Sequence, residues 1–241
     1  MTTVIGLANS EIGIAVLCAD RQSTMSTQRD NNPTDKMLGR KLWVSKDNLY
    51  AFGHSGMRSE GFEDFISEMV DGSINIEQAV KDRNFTKLRE LNLKRLGTKT
   101  PDPEKLSSFL LATRFGEKPC LYNCWPLGDV EEFGLTYIGS GARKADEYFR
   151  ARAVIQQARE YIAPNNDGSS KKGNILIAGL EALRYAQSID IFSSGLDLVV
   201  VTPDKIIDHF PELQDDFRKR IEAITLQYKD NPPTTEPISS S

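Results

Sequence analysis

The chain has 241 residues, of which 39% are hydrophobic and 27% charged, and its formal net charge is -4. That length supports one sizeable core or two small ones, and the mildly acidic balance gives no reason to expect nucleic acid or an anionic membrane as a partner. Three cysteines (Cys18, Cys120, Cys124) and two histidines (His54, His209) form neither a disulfide framework nor a zinc-ligand spacing, so no metal and no cofactor is expected.

The opening MTTVIGLANSEIGIAVLCAD is interrupted by Glu11 and has no basic leader, so it does not read as a signal peptide. No apolar run is long enough to span a bilayer, and a cytoplasmic location is expected. Thr3 to Leu7 and Ile12 to Cys18 are β-branched-rich runs around Ala8-Asn9-Ser10-Glu11, which predicts a hairpin beginning almost at the first residue. Residues 21–40 are polar, hold Pro33 and Gly39, and read as a loop. Leu42 to Val44 and Leu49 to Phe52 predict a second hairpin across Lys46-Asp47-Asn48.

Phe62, Phe65, Ile66, Met69 and Val70 fall at helical spacing and Gly72 closes that helix. Residues 76–96 read as one further helical stretch. Three strand-like runs follow, at 106–113, 120–125 and 133–138, and Cys120 and Cys124 share a face of the middle one as small core residues. Helices are predicted over 142–163, ending before Pro164, and over 174–189. Leu196 to Val201 is a near-continuous apolar strand that pairs with Lys205 to Asp208 across Pro203-Asp204. Strand blocks separated by helix pairs do not give the alternating pattern of a doubly wound sheet. They predict an α+β fold of two antiparallel sheets packed face to face with helices outside both. One domain over residues 1–230 is expected, with the Pro/Ser/Thr-rich tail 231–241 reading as disordered.

Four segments together carry a family resemblance. TTVIGLANSEIGIAVLCADRQST resembles the start of mature proteasome β subunits and of the bacterial threonine peptidase that pairs with an unfoldase ring. KLWVSKDNLYAFGHSG resembles the family's lysine-initiated hairpin ending in a glycine turn, YIGSGARKADEYF its Gly-Ser-Gly helix opening, and ALRYAQSIDIFSSGLDLVVVTPDKI its helix-Asp-x-x-Ser-Gly-strand segment. They occur in the family's order over residues 2–208. The resemblance implies the four-layer αββα sandwich of the N-terminal-nucleophile hydrolases. It also implies a homo-oligomeric ring or stacked rings enclosing a chamber, peptide or unfolded polypeptide as substrate, and an ATPase unfoldase as a partner.

It further implies a threonine endopeptidase whose nucleophile is Thr2 once Met1 is removed. A threonine hydroxyl is a poor nucleophile without a base, and a free α-amine, with a reference pKa of about 7.7–8.0, supplies one. On the same resemblance Lys41 is the active-site lysine, with Lys36 in the same loop as the alternative, and a nearby ammonium lowers the pKa of the amine. Asp20 orients that lysine, while Ser140, Asp190 and Ser193 hold the amine and a water. Backbone N–H groups at Ser55 and Gly56 form the oxyanion hole, although Ser55 stands where the family commonly has glycine. Gly53 occupies the specificity position and implies a roomy pocket. The first hairpin and the interval from Asp20 to Lys41 are both longer than the family's. Two alternatives share these residues: an amidase or transpeptidase in which an amine resolves the ester, and a non-catalytic ring subunit.

Overall fold

The computed structural model describes residues 3–20, 22–24, 36–38, 40–56, 61–96, 106–151, 168–189 and 195–209. Thr2, Asp190, Ser193, the predicted helical residues 152–163 and the tail 231–241 lie outside the described residues.

Strands β1 (Thr3–Asn9) and β2 (Ile14–Ala19) form the predicted hairpin, with Val4 opposite Ala19 and Asn9 opposite Ile14. Asn9 closes the turn: its side-chain oxygen accepts the N–H groups of Glu11 and Ile12 at 2.8 and 3.1 Å. Almost every residue of both strands is buried, because both faces are covered. Ile5, Leu7, Ile14, Val16 and Cys18 face one apolar cluster, and Val4, Ala15, Leu17 and Ala19 face another. That split is the two-residue period of a strand.

Three further strands complete this sheet: β10 (Leu135–Gly139), β11 (Asp197–Val201) and β12 (Ile206–Asp208), in the order β10-β1-β2-β11-β12. A second sheet has the order β5-β6-β7-β8-β9, from Leu42–Val44, Tyr50–Ser55, Ser108–Thr113, Cys120–Cys124 and Val130–Glu132. Neighbours in both sheets run antiparallel.

Five helices are found among the described residues: α1 (Phe62–Asp71), α2 (Ile76–Lys81), α3 (Thr86–Leu96), α4 (Ala142–Ala151) and α5 (Gly168–Ile189). α1 turns Phe62, Phe65, Ile66 and Met69 inward and ends at Gly72, whose φ of 76° permits the left-handed cap. Those side chains join Phe85 and Leu88 against Tyr50, Phe52, Phe109 and Leu111 of the second sheet. Tyr148 and Phe149 of α4, with Leu180 and Leu183 of α5, cover the outer face of the first sheet. A third cluster lies between the sheets, where Val4, Leu17 and Val199 meet Leu42, Ala51, Leu110 and Leu121. The fold is therefore mixed α+β, with two five-stranded antiparallel sheets.

Three expectations need correction. Residues 21–40 are not wholly loop, because β3 (Gln22–Thr24) and β4 (Lys36–Leu38) pair as a small separate sheet. The stretch 76–96 is two helices, broken where Asn84 bridges Asp129 and Phe85 N–H donates to Gly128 O at 2.6 Å. A backbone partner distant in sequence takes the bonds that a continuous helix would have used, and periodicity cannot register that. The run at 133–138 also conceals a change of sheet. Phe133 N–H still donates to Leu121 O of β8, whereas β10 begins at Leu135 in the other sheet.

The cysteines supply a check on this packing. Cys18 and Cys124 are buried, and burial pushes both thiols up, Cys124 to about 12. Cys120 is half-buried, and its thiol is raised chiefly by burial. In the native protein only Cys120 should react with Ellman's reagent, faster as pH rises, and Cys120→Ser should remove that signal. Cys18 and Cys124 should react only after unfolding, and prompt native labelling of either would contradict the packing described.

Candidate functional site

One end of the two sheets gathers Asp20, Lys41 and Asp197, and among the described residues no other Asp, Glu, Lys or Arg is buried. Thr3 opens β1 and is fully buried. Its N–H donates to Asp20 Oδ1 at 3.2 Å, and Asp20 N–H donates back to Thr3 O at 3.1 Å. Its hydroxyl oxygen accepts the N–H of Gly141 at 3.1 Å. Thr3 is thus tied to the residue following β2 and to the turn following β10.

Lys41 immediately precedes β5 in the other sheet. Its ammonium lies 3.4 Å from Asp20 Oδ1, with the two side chains only 3% and 1% exposed. Asp20 Oδ1 therefore receives the Lys41 ammonium and the Thr3 N–H together. A carboxylate and an ammonium this deeply buried are tolerable only as a pair with further hydrogen bonds. Asp197, at the start of β11, adds a second buried carboxylate, and its Oδ2 accepts the Lys41 backbone N–H at 2.6 Å. Asp197 stands opposite Ala19, one residue before Asp20.

The structure brings Asp20 and Lys41 together. Ser140 is exposed between Gly139, which pairs with Thr3, and Gly141, which bonds it. Ser55 ends β6 opposite Ser108 and is buried. Gly56 follows with φ +120, and a Cβ there would stand 2.5 Å from Leu106 O, so only glycine fits this turn. At Gly53 the expected room is already taken. A Cβ would meet Val4 Cγ1 at 2.6 Å and Leu42 Cδ2 at 2.7 Å, so the missing side chain admits core methyl groups. The side chain of Lys36, the alternative lysine, lies outside what is described.

Sequence reasoning passed over Thr3 and Asp197. Thr3 carries no signal beyond its neighbour, since its importance lies in three hydrogen bonds to distant segments. Asp197 did carry one: it is an ionisable residue inside the apolar run Leu196 to Val201, on the face it shares with Val199 and Val201 between the sheets. Among the described residues, no group of three or more His, Cys, Asp or Glu is placed to hold a metal ion. Nor is any helix among them long and apolar enough to cross a membrane. Neither a known family model nor a curated protein matches the chain.

Removing one member of a buried pair strands the other charge in a dry interior. Lys41→Met should therefore lower unfolding stability by about 3–5 kcal/mol in a urea titration. Gly53→Ala should cost about 1–3 kcal/mol through overpacking. An unchanged midpoint for either variant would contradict the burial seen at that position.

Proposed function

We propose that this chain is a threonine-type endopeptidase of the N-terminal-nucleophile class, a proteasome-like β subunit that cleaves unfolded polypeptide inside a homo-oligomeric ring. One observation carries the reading: a single carboxylate oxygen, Asp20 Oδ1, accepts both the N–H of Thr3 and the ammonium of Lys41. The atom to which residue 2 is bonded is therefore anchored beside a buried lysine. The arrangement of apolar clusters adds support. Helices on the outer face of each sheet, with a third cluster between the sheets, are compatible with a four-layer αββα sandwich.

In this mechanism the α-amine of Thr2, freed by loss of Met1, takes the proton of the Thr2 hydroxyl. The hydroxyl oxygen attacks the scissile carbonyl carbon, and the carbonyl π electrons move onto oxygen. Backbone N–H groups at Ser55 and Gly56 stabilise that oxyanion. Collapse expels the amine half of the peptide, which takes the proton, and leaves an ester on Thr2. A water, deprotonated by the same amine, then cleaves the ester. The Lys41 ammonium disfavours a second positive charge on the α-amine and so keeps it a base near neutral pH. Ser140, Asp190 and Ser193 hold the amine and the water.

The test combines a mass and a rate. Intact mass should show loss of Met1, and a fluorogenic peptide should be cleaved by wild type but not by Thr2→Ala, a loss of at least about 10³-fold. Equal activity in both proteins would remove Thr2 from the mechanism. Products carrying an added amine in place of water would favour the transpeptidase alternative.

A further inference from the structure

We propose that Asn92 is a positioning residue for the oxyanion turn at Ser55–Gly56, an inference that rests on the reading of the site given above. Asn92 is 1% exposed and lies within α3, a place where its carboxamide is costly unless fully bonded. It is bonded at both ends. Its Nδ2 donates to Ser107 O and to Pro126 O, each at 2.8 Å, and its Oδ1 accepts the Ser107 N–H at 2.9 Å.

The two bonds to Ser107 copy what a neighbouring strand would supply. Ser107 lies just before β7, and Ser55 opposite Ser108 is the final strand pair of β6 and β7 at that end. Beyond that pair, Asn92 holds the Ser107 backbone in place. Gly56 rests directly on this segment. A Cβ on it would stand 2.5 Å from Leu106 O and 2.8 Å from Ser107 Cα, both backbone atoms that yield little. A third tether comes from β6 itself, where His54 Nε2 lies 3.2 Å from Ser107 Oγ. The backbone of Leu106 and Ser107 is thus the floor under the Gly56 turn, and Asn92 fixes its height. Displacing Ser107 moves Gly56, and with it the direction of the N–H groups that meet the oxyanion. Asn92 acts through this floor, as a positioning residue.

The experiment compares two reactions of Thr2 in the full-length protein. Hydrolysis of a fluorogenic peptide amide builds negative charge on the carbonyl oxygen. Labelling by a peptide vinyl sulfone adds the hydroxyl across a carbon–carbon double bond and builds charge beside the sulfone. In Asn92→Gln and Asn92→Ala, kcat for the amide should fall about 10- to 100-fold with KM little changed. The vinyl sulfone labelling rate should stay within about threefold of wild type, because the nucleophile is untouched. Asn92→Gln keeps an uncharged carboxamide with both donor and acceptor but sets it one methylene further out, so it carries the test where Asn92→Ala loses the fold. Equal losses in both reactions, or no loss in either, would overturn the role of Asn92 while leaving Thr2 as nucleophile. A wild-type protein that reacts in neither assay would overturn the reading of the site and this inference with it.

Discussion

The buried pair of Lys41 and Asp20 is the constraint around which this structure is arranged. Two opposite charges in a dry interior persist only when their remaining hydrogen-bonding capacity is met. Meeting it recruits backbone from distant parts of the chain. Asp20 takes the Thr3 N–H from the start of β1, and Asp197 at the start of β11 takes the N–H of Lys41 itself. The ends of four strands from two sheets are thereby brought to one place. Asp197 illustrates how the charge is managed: its Oδ2 accepts a backbone N–H and so fixes the lysine's main chain while Asp20 meets its ammonium.

Such a pair can bridge two sheets only if the sheets come close. Among the described residues the buried cluster between them is aliphatic throughout, and Ala15, Ala19, Ala51 and Ala112 are all fully buried there. Gly6 and Gly53 contribute no side chain, and their places are filled by Leu121 and by Val4 with Leu42. The outer layers are different. Phe52, Phe62, Phe65 and Phe109 fill one, and Tyr148, Phe149 and Tyr185 the other. Aliphatic side chains fill the centre and aromatic ones the flanks, and at one end of that centre Lys41 of one sheet reaches Asp20 beside the other. A polar contact also crosses this layer, where Asn123 of β8 donates to Thr136 of β10 at 3.2 Å.

The support under Gly56 follows the same rule at a second place. Where strand pairing ends, backbone groups still need partners, and a buried side chain supplies them. Asn92 does this for Ser107, whereas at the break between α2 and α3 backbone meets backbone, with Phe85 N–H donating to Gly128 O and Val130 N–H to Arg83 O around the Asn84–Asp129 bridge. Both arrangements join segments far apart in the chain, so both stiffen the molecule between its elements.

The kinds of element and most of their places were legible in the order of the amino acids. The apolar runs of β1, β2, β7 and β8, the helical spacing of Phe62 to Met69 and the closing Gly72 are local features, each readable within a few residues. That order also singled out Asp20 and Lys41, although through likeness to a family's pattern and not through any local property. That these two side chains meet, that Thr3 and Asp197 join them, and that Gly53 opens onto packed methyl groups emerges only in the folded chain. The fold alone placed the break between α2 and α3, the pairing of β3 with β4, and the passage from β9 to β10 between sheets. The reason is the same throughout. Periodicity records which face a residue turns inward, whereas a hydrogen bond across 17 or 156 positions depends on where the chain returns.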